Sequence, residues 1–214
     1  MKSIFSTLFA IVFFISCAQT QNNQNKFPLG EKKPTAANEA VATFSEGCFW
    51  HSEIVFQSLV GVRDAVSGYA GGHTTNPTYE KVANGNTGHA ETVQVYYDPA
   101  RISFETLAAA FFASQDPTTI DQQGNDVGSE YRSIAFYRNE KEKQIIEAEI
   151  KKLTDNKKYK NKIVTQVVPF EKFYPAEDYH QEYISHNSGN PYVQNVSIPD
   201  FNHFRSSFKG NFKH

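Results

Sequence analysis

Cys17 and Cys48 are the only cysteines in 214 residues, so each needs its own explanation. Cys48 follows a β-rich segment and Gly47, and it opens a stretch with helical apolar spacing. A thiol at a helix start faces unpaired backbone N–H groups and the positive end of the helix dipole. That setting favours thiolate, the nucleophilic form. There is no CxxC pair, which excludes a thioredoxin-like dithiol. Two cysteines alone cannot fill a four-ligand zinc site, and no metal is expected. Phe49 and Trp50 follow the thiol directly; they either pack the core or wall an apolar slot beside the nucleophile. Glu91 closes a long Gly/Asn-rich segment that includes Tyr69, Tyr79 and His89. It is either a solvent-facing strand residue or a buried acid, raised in pKa so that it donates a proton at neutral pH. Tyr131 can donate a hydrogen bond from a rigid position, and Asp126 either accepts one or sits in a turn. Asp178 and His180 could join Cys48 in a Cys/His/Asp set for acyl transfer, with His89 as a second candidate base of more structural character. A non-catalytic ligand-binding protein using the same pocket is a third reading.

The elements that must position these residues follow from periodicity. Val41–Phe44 reads as a short buried strand and Phe49–Leu59 as a helix. Val62–Tyr69 and Glu91–Tyr97 read as strands, the second closed by Asp98-Pro99. Ser103 caps a helix over Phe104–Ser114, a long loop spans Asp116–Glu130, and Ser133–Tyr137 is a strand. Asn139 caps a charged helix, Glu140–Leu153. Ile163–Val168 is expected as a strand, Ala176–His186 as a helix, and the aromatic tail to His214 as irregular. Strands and helices alternate, yet some neighbours look like hairpin partners. That favours an α+β two-layer sandwich over a doubly wound parallel sheet.

The chain is 39% hydrophobic and 21% charged, enough for one real core. A net charge of −2 gives no nucleic-acid footprint. Lys2 precedes an apolar run, Ile4 to Ile15, broken only by Ser6 and Thr7. This is a signal-peptide layout, shorter than the about 20 residues that span a bilayer. Ser16-Cys17 at its end resembles the lipobox of bacterial lipoproteins, with Phe14 where Leu is usual. Residues 1–17 are therefore expected to be a lipoprotein signal, 18–38 a flexible polar tether, and 39–214 the catalytic domain. The expected location is the cell envelope, lipid-anchored and facing the periplasm, with membrane contact only through that anchor.

Seven segments occur in the order of a known family. They are Gly47-Cys48-Phe49-Trp50, Tyr69-Ala70-Gly71-Gly72, Asn76-Pro77-Thr78-Tyr79, Gly88-His89-Ala90-Glu91, Tyr97-Asp98-Pro99, Gly128 to Ser133, and Ala176 to Gln181. Together they closely resemble the A-type peptide-methionine sulfoxide reductases, in a single-cysteine form. The resemblance implies a two-layer α+β sandwich with a mixed β-sheet, similar to an elaborated ferredoxin-like fold. It implies reduction of methionine (S)-S-oxide, free or in proteins, as repair of oxidative damage. Cys48 would be the nucleophile that becomes sulfenic acid, and Glu91 the acid that protonates the sulfoxide oxygen. Tyr79 and Tyr131 would hydrogen-bond that oxygen, Phe49 and Trp50 would hold the ε-methyl group, and Asp126 would stand near the site. Many members carry a recycling cysteine, but this chain has Ala83 in the corresponding loop and none in the tail. An external thiol (thioredoxin-like, glutaredoxin-like or small) is then the expected reductant, with no bound cofactor and a monomeric enzyme. His51 stands where Gly is common, and little consequence is expected.

Overall fold

A computed structural model describes residue 30 and residues 37–213; the expected signal segment and most of the tether lie outside these. The strands are β1 (Ala40–Glu46), β2 (Val62–Ala70), β3 (Ala90–Tyr97), β4 (Gln122–Gln123), β5 (Asp126–Val127), β6 (Ser133–Tyr137), β7 (Gln166–Pro169) and β8 (Phe173–Pro175). The α-helices are α1 (Phe49–Gln57), α2 (Tyr79–Ala83), α3 (Phe104–Ala113), α4 (Glu140–Asp155), α5 (Tyr183–His186) and α6 (Ile198–Ser207). The main sheet runs β7-β6-β1-β3-β2-β8. Every pairing is antiparallel except β6 with β7. The order β6-β1-β3-β2, with α1 joining β1 to β2 and α3 joining β3 to β6, is the ferredoxin-like βαββαβ arrangement, extended by one strand at each edge. The expected α+β sandwich with a mixed sheet is the fold.

Strand alternation decides which side chains reach the helices. On β1, Ala42 and Phe44 enter the main core, where Phe44 stacks on Phe56 of α1 at 5.3 Å and on Phe111 of α3 at 5.0 Å. Thr43 and Ser45 point the other way, and Ser45 hydrogen-bonds Thr92 at 2.7 Å. On β3, Val93, Val95 and Tyr97 enter the same core. Glu91 shares their parity, so the strand register itself drives this carboxyl inward, where it is 3% exposed.

Two segments depart from the sequence expectation. Residues 176–186 do not form one helix: a 3-10 turn at Asp178–His180 gives way to Glu182 at φ 52° and then α5. Gln181 is the cause. Its side chain accepts from Ser67 N–H and donates to Ser67 and Ala176 carbonyls, each at 3.0 Å, replacing helical bonds with strand-like ones to β2. The tail is not irregular either, since a π-turn at Val193–Ser197 runs into α6. Phe204, Phe208 and Phe212 then close against one another, and Lys213 N–H and Asn211 C=O bond the backbone after α1. At the expected Ile163–Val168 strand, ladder pairing begins only at Gln166, because Val164 N–H is taken by Pro117 C=O at 2.8 Å.

Glu46, Glu53 and Glu91 are buried, and burial pushes each carboxyl up to about 8. Glu53 accepts from Ser67 Oγ at 2.6 Å and from Glu182 N–H at 2.7 Å, tying the C-terminal loop to α1. The unfolded chain releases these protons near the ordinary carboxyl value of 4.5, whereas the folded chain holds them to about 8. Folding stability therefore falls as pH rises through that window. Thermal melts should show a midpoint that drops steadily from pH 6 to pH 9, and Glu53→Gln should make that slope shallower; an unchanged slope would contradict the assignment.

Candidate active site

Gly47 turns the chain between β1 and α1 at φ +96°, a conformation that favours glycine. Cys48 is the N-cap of α1, and its carbonyl accepts from His51 and Ser52 N–H at 3.1 and 3.2 Å. The next amide, Phe49 N–H, donates to Glu91 Oε2 at 2.9 Å. Cys48, Phe49, Trp50, Tyr79, Glu91, Asp126, Tyr131 and Tyr192 line one cavity of about 170 Å³. All seven residues expected from the sequence are thus brought together. Tyr192, which precedes the π-turn in the tail, is the member that sequence reasoning missed.

The surroundings hold this set in place. Tyr79 begins α2, and its N–H donates to Glu177 Oε1 at 3.0 Å, while Tyr69 OH donates to Glu177 Oε2 at 2.9 Å. Glu177 is therefore a clamp between two aromatic residues, at a position where the sequence suggested only part of a helix over Ala176–His186. Trp50 stacks on Tyr183 at 3.7 Å and 7°, and its indole N–H donates to His180 Nδ1 at 3.1 Å. Arg132 ties the Tyr131 turn to the loop before β3 by donating to Ser129 and Gly88 carbonyls at 2.7 and 2.8 Å. Asp126, in the β4–β5 hairpin, accepts from Tyr192 OH at 2.5 Å.

Electrostatics correct one expectation. The Cys48 thiol is pushed up, not down: burial is the largest cause, and the nearby Glu91 is the second. Cys48 keeps some exposed surface, but its sulfur is enclosed. The N–H groups of Trp50 and His51 work the other way and lose. Glu91, held up near 8 by burial with Asp126 and Glu130 adding, keeps its proton at neutral pH. Burial also raises Tyr79, to about 12, and Tyr131 and Tyr192 further, so their hydroxyls stay donors.

Neither histidine joins Cys48. His180 faces Trp50, and burial lowers its pKa. His89 accepts from Gly72 N–H at Nδ1 and meets Thr74 C=O at Nε2, at 3.2 and 2.8 Å. The Cys/His/Asp arrangement for acyl transfer is absent from this cavity.

A thiol, a protonated carboxylic acid and phenol donors beside an aromatic wall define a thiol-based reductase of a small oxygen-bearing group. The chain belongs to the peptide methionine sulfoxide reductase family, whose model matches residues 40–212. It is 44% identical over 179 residues to peptide methionine sulfoxide reductase MsrA 1 of Rhodopirellula baltica, covering 84% of this chain and 92% of that one. Among solved structures it is similar to Mxr1 from Saccharomyces cerevisiae in reduced form, with TM-score 0.69, 32% identity, and 76% and 94% of the two chains covered. It is also similar to Mxr1 in complex with Trx2, with TM-score 0.50, 27% identity, and 71% and 88% covered.

Because Glu91 raises the thiol, Glu91→Gln should speed alkylation of Cys48 by iodoacetamide several-fold at pH 8 to 9, read by peptide mass spectrometry. Equal rates would show that the two groups do not interact.

Proposed function

We propose that this protein reduces methionine (S)-S-oxide, free or in oxidised proteins, with Cys48 as nucleophile. The observation that carries this is the single cavity that joins the Cys48 thiol, the protonated Glu91 and the Tyr79 and Tyr131 hydroxyls beside Phe49 and Trp50. Sulfoxide oxygen leaves poorly until it is protonated, and Glu91 supplies that proton at neutral pH. Tyr79 and Tyr131 donate to the same oxygen, and the Phe49–Trp50 wall takes the ε-methyl group. Asp126 holds the Tyr192 hydroxyl against the thiol. Methionine leaves as its thioether and Cys48 is left as sulfenic acid.

Cys48 is the only free cysteine among the described residues, and Ala83 ends α2, in the loop where the family resemblance would place a recycling cysteine. An external thiol then attacks the sulfenic sulfur, water leaves, and a second thiol releases the mixed disulfide. The Mxr1–Trx2 complex supports a thioredoxin-like donor. The apolar run after Lys2 and the Ser16-Cys17 junction support export and lipid anchoring in the envelope, facing the periplasm.

An assay with both sulfoxide epimers should show turnover of the S form only. Cys48→Ser should abolish it, and Glu91→Gln should lower kcat on the order of 100-fold. With wild type, the rate should fall as pH rises past about 8 and Glu91 loses its proton. Full activity in Cys48→Ser would refute the nucleophile. With substrate and no reductant, a sulfenate probe should label Cys48; rapid formation of a Cys17–Cys48 disulfide instead would refute the external-thiol route.

A further inference from the structure

Cys48 also lines a second and smaller cavity of about 70 Å³, the rear chamber, to which neither Phe49 nor Trp50 contributes. Cys48, Asp126 and Tyr192 line both cavities and so form the partition between them. The rear chamber is polar: Glu46, His51, Ser114, Gln123, Ser197 and Asp200 contribute to it. Both ring nitrogens of His51 and Oε1 of Glu46 are buried; Glu46 Oε1 has no hydrogen bond, and the His51 ring meets only the backbone of Ser114 and Ser197, without close hydrogen-bond geometry. Buried polar atoms around a space of this size can be satisfied by water, at about 30 Å³ for each molecule.

We propose that the rear chamber is a proton relay for Cys48, in which His51 receives the thiol proton through water as the sulfur attacks. The inference rests on Cys48 being the nucleophile. The Cys48 Sγ–H bond breaks and its proton passes to a His51 ring nitrogen. The freed electron pair attacks the substrate sulfur while Glu91 protonates the sulfoxide oxygen. The substrate S–O bond then breaks, the oxygen ends on Sγ as sulfenic acid, and the thioether leaves with its electron pair. Cys48 sulfur is oxidised by two electrons and the substrate sulfur reduced by two. The His51 proton then restores the one that Glu91 gave, by way of the Asp126–Tyr192 partition.

The groups facing His51 suit this task. Burial pulls the imidazole below its ordinary value, while the Asp200 carboxylate on α6 and the backbone of Ser114 and Ser197 pull the other way, so the ring is neutral near pH 7 and these groups favour a proton that it takes up. Glu46, at the end of β1, is pushed up to about 8 and keeps its proton, so it does not compete as a base. Asp126 is engaged by Tyr192. Neither lysine nor arginine lines the chamber.

His51→Gly should lower single-turnover sulfoxide reduction by the full-length protein on the order of 100-fold at pH 7, with KM changed less than about twofold. Added imidazole should restore much of the rate, and pyrazole, of the same shape but far less basic, should not. The wild-type rate should fall on acidification as His51 takes up a proton; His51→Gln, which keeps the bulk, should be equally slow and should lack that fall. Unchanged rates in both variants, or equal rescue by pyrazole, would overturn the relay. Inactive wild-type protein, or an active Cys48→Ser control, would instead overturn the nucleophile assignment beneath it.

Discussion

The bond from Phe49 N–H to Glu91 Oε2 is the hinge of the site. It joins the start of α1 to the start of β3, so it fixes how far the thiol stands from the acid. It also settles where the helix's N-terminal field goes. The first free amide is given to the carboxyl, and the Trp50 and His51 amides that act on the sulfur are outweighed by its burial, so the helix start does not make a thiolate. Burial then dominates both groups, and the resting pair is neutral thiol and neutral acid. A site with a free thiolate would be nucleophilic at once, but its carboxyl would lack the proton that the sulfoxide oxygen needs.

The fold serves this bond. In the β6-β1-β3-β2 order, β1 and β3 are neighbours, so the end of β1 and the start of β3 meet at one edge of the sheet. Cys48 leaves from one and Glu91 enters on the other. The remaining members arrive from segments with little regular structure: the β4–β5 hairpin, the 3-10 turn at Ser129–Tyr131, and the chain after β8. Such segments need external ties, and Arg132, Glu177 and Gln181 provide them through bonds to backbone or to buried aromatic residues.

Much of this was legible because strands and helices print their period into the sequence. The inward parity of Val93, Val95 and Tyr97 extends to Glu91, which is why a buried acid could be read at that position. Ser103 and Asn139 cap their helices as their side chains suggest, each accepting from the amide three residues on. What escaped was set by partners distant in sequence. The strand-like bonds of Gln181 to Ser67 cannot be seen in either segment alone, and they are what stop a helix over 176–186. Tyr192 was hidden for a related reason: its role depends on Asp126, 66 residues away, and the tail's aromatic spacing carries no period that marks it. The direction of the Cys48 shift was misread because a local rule, helix start favours thiolate, was applied without the burial that the packed fold imposes on the sulfur, and without the carboxyl that the sheet brings near.

The partition of Cys48, Asp126 and Tyr192 separates two demands that conflict in a single cavity. The front must exclude water and present protons, since its task is to make an oxygen leave. A thiol held up by burial must also lose a proton in the same step, and every titratable group at the front is a donor or is already hydrogen-bonded to one. The proposed base lies in the second chamber instead. In this chain that chamber is lined by an imidazole that burial keeps neutral, beside a carboxyl that burial keeps protonated. The same desolvation that disarms the thiol at rest thus prepares both sides of the partition, one to give protons and the other to take one.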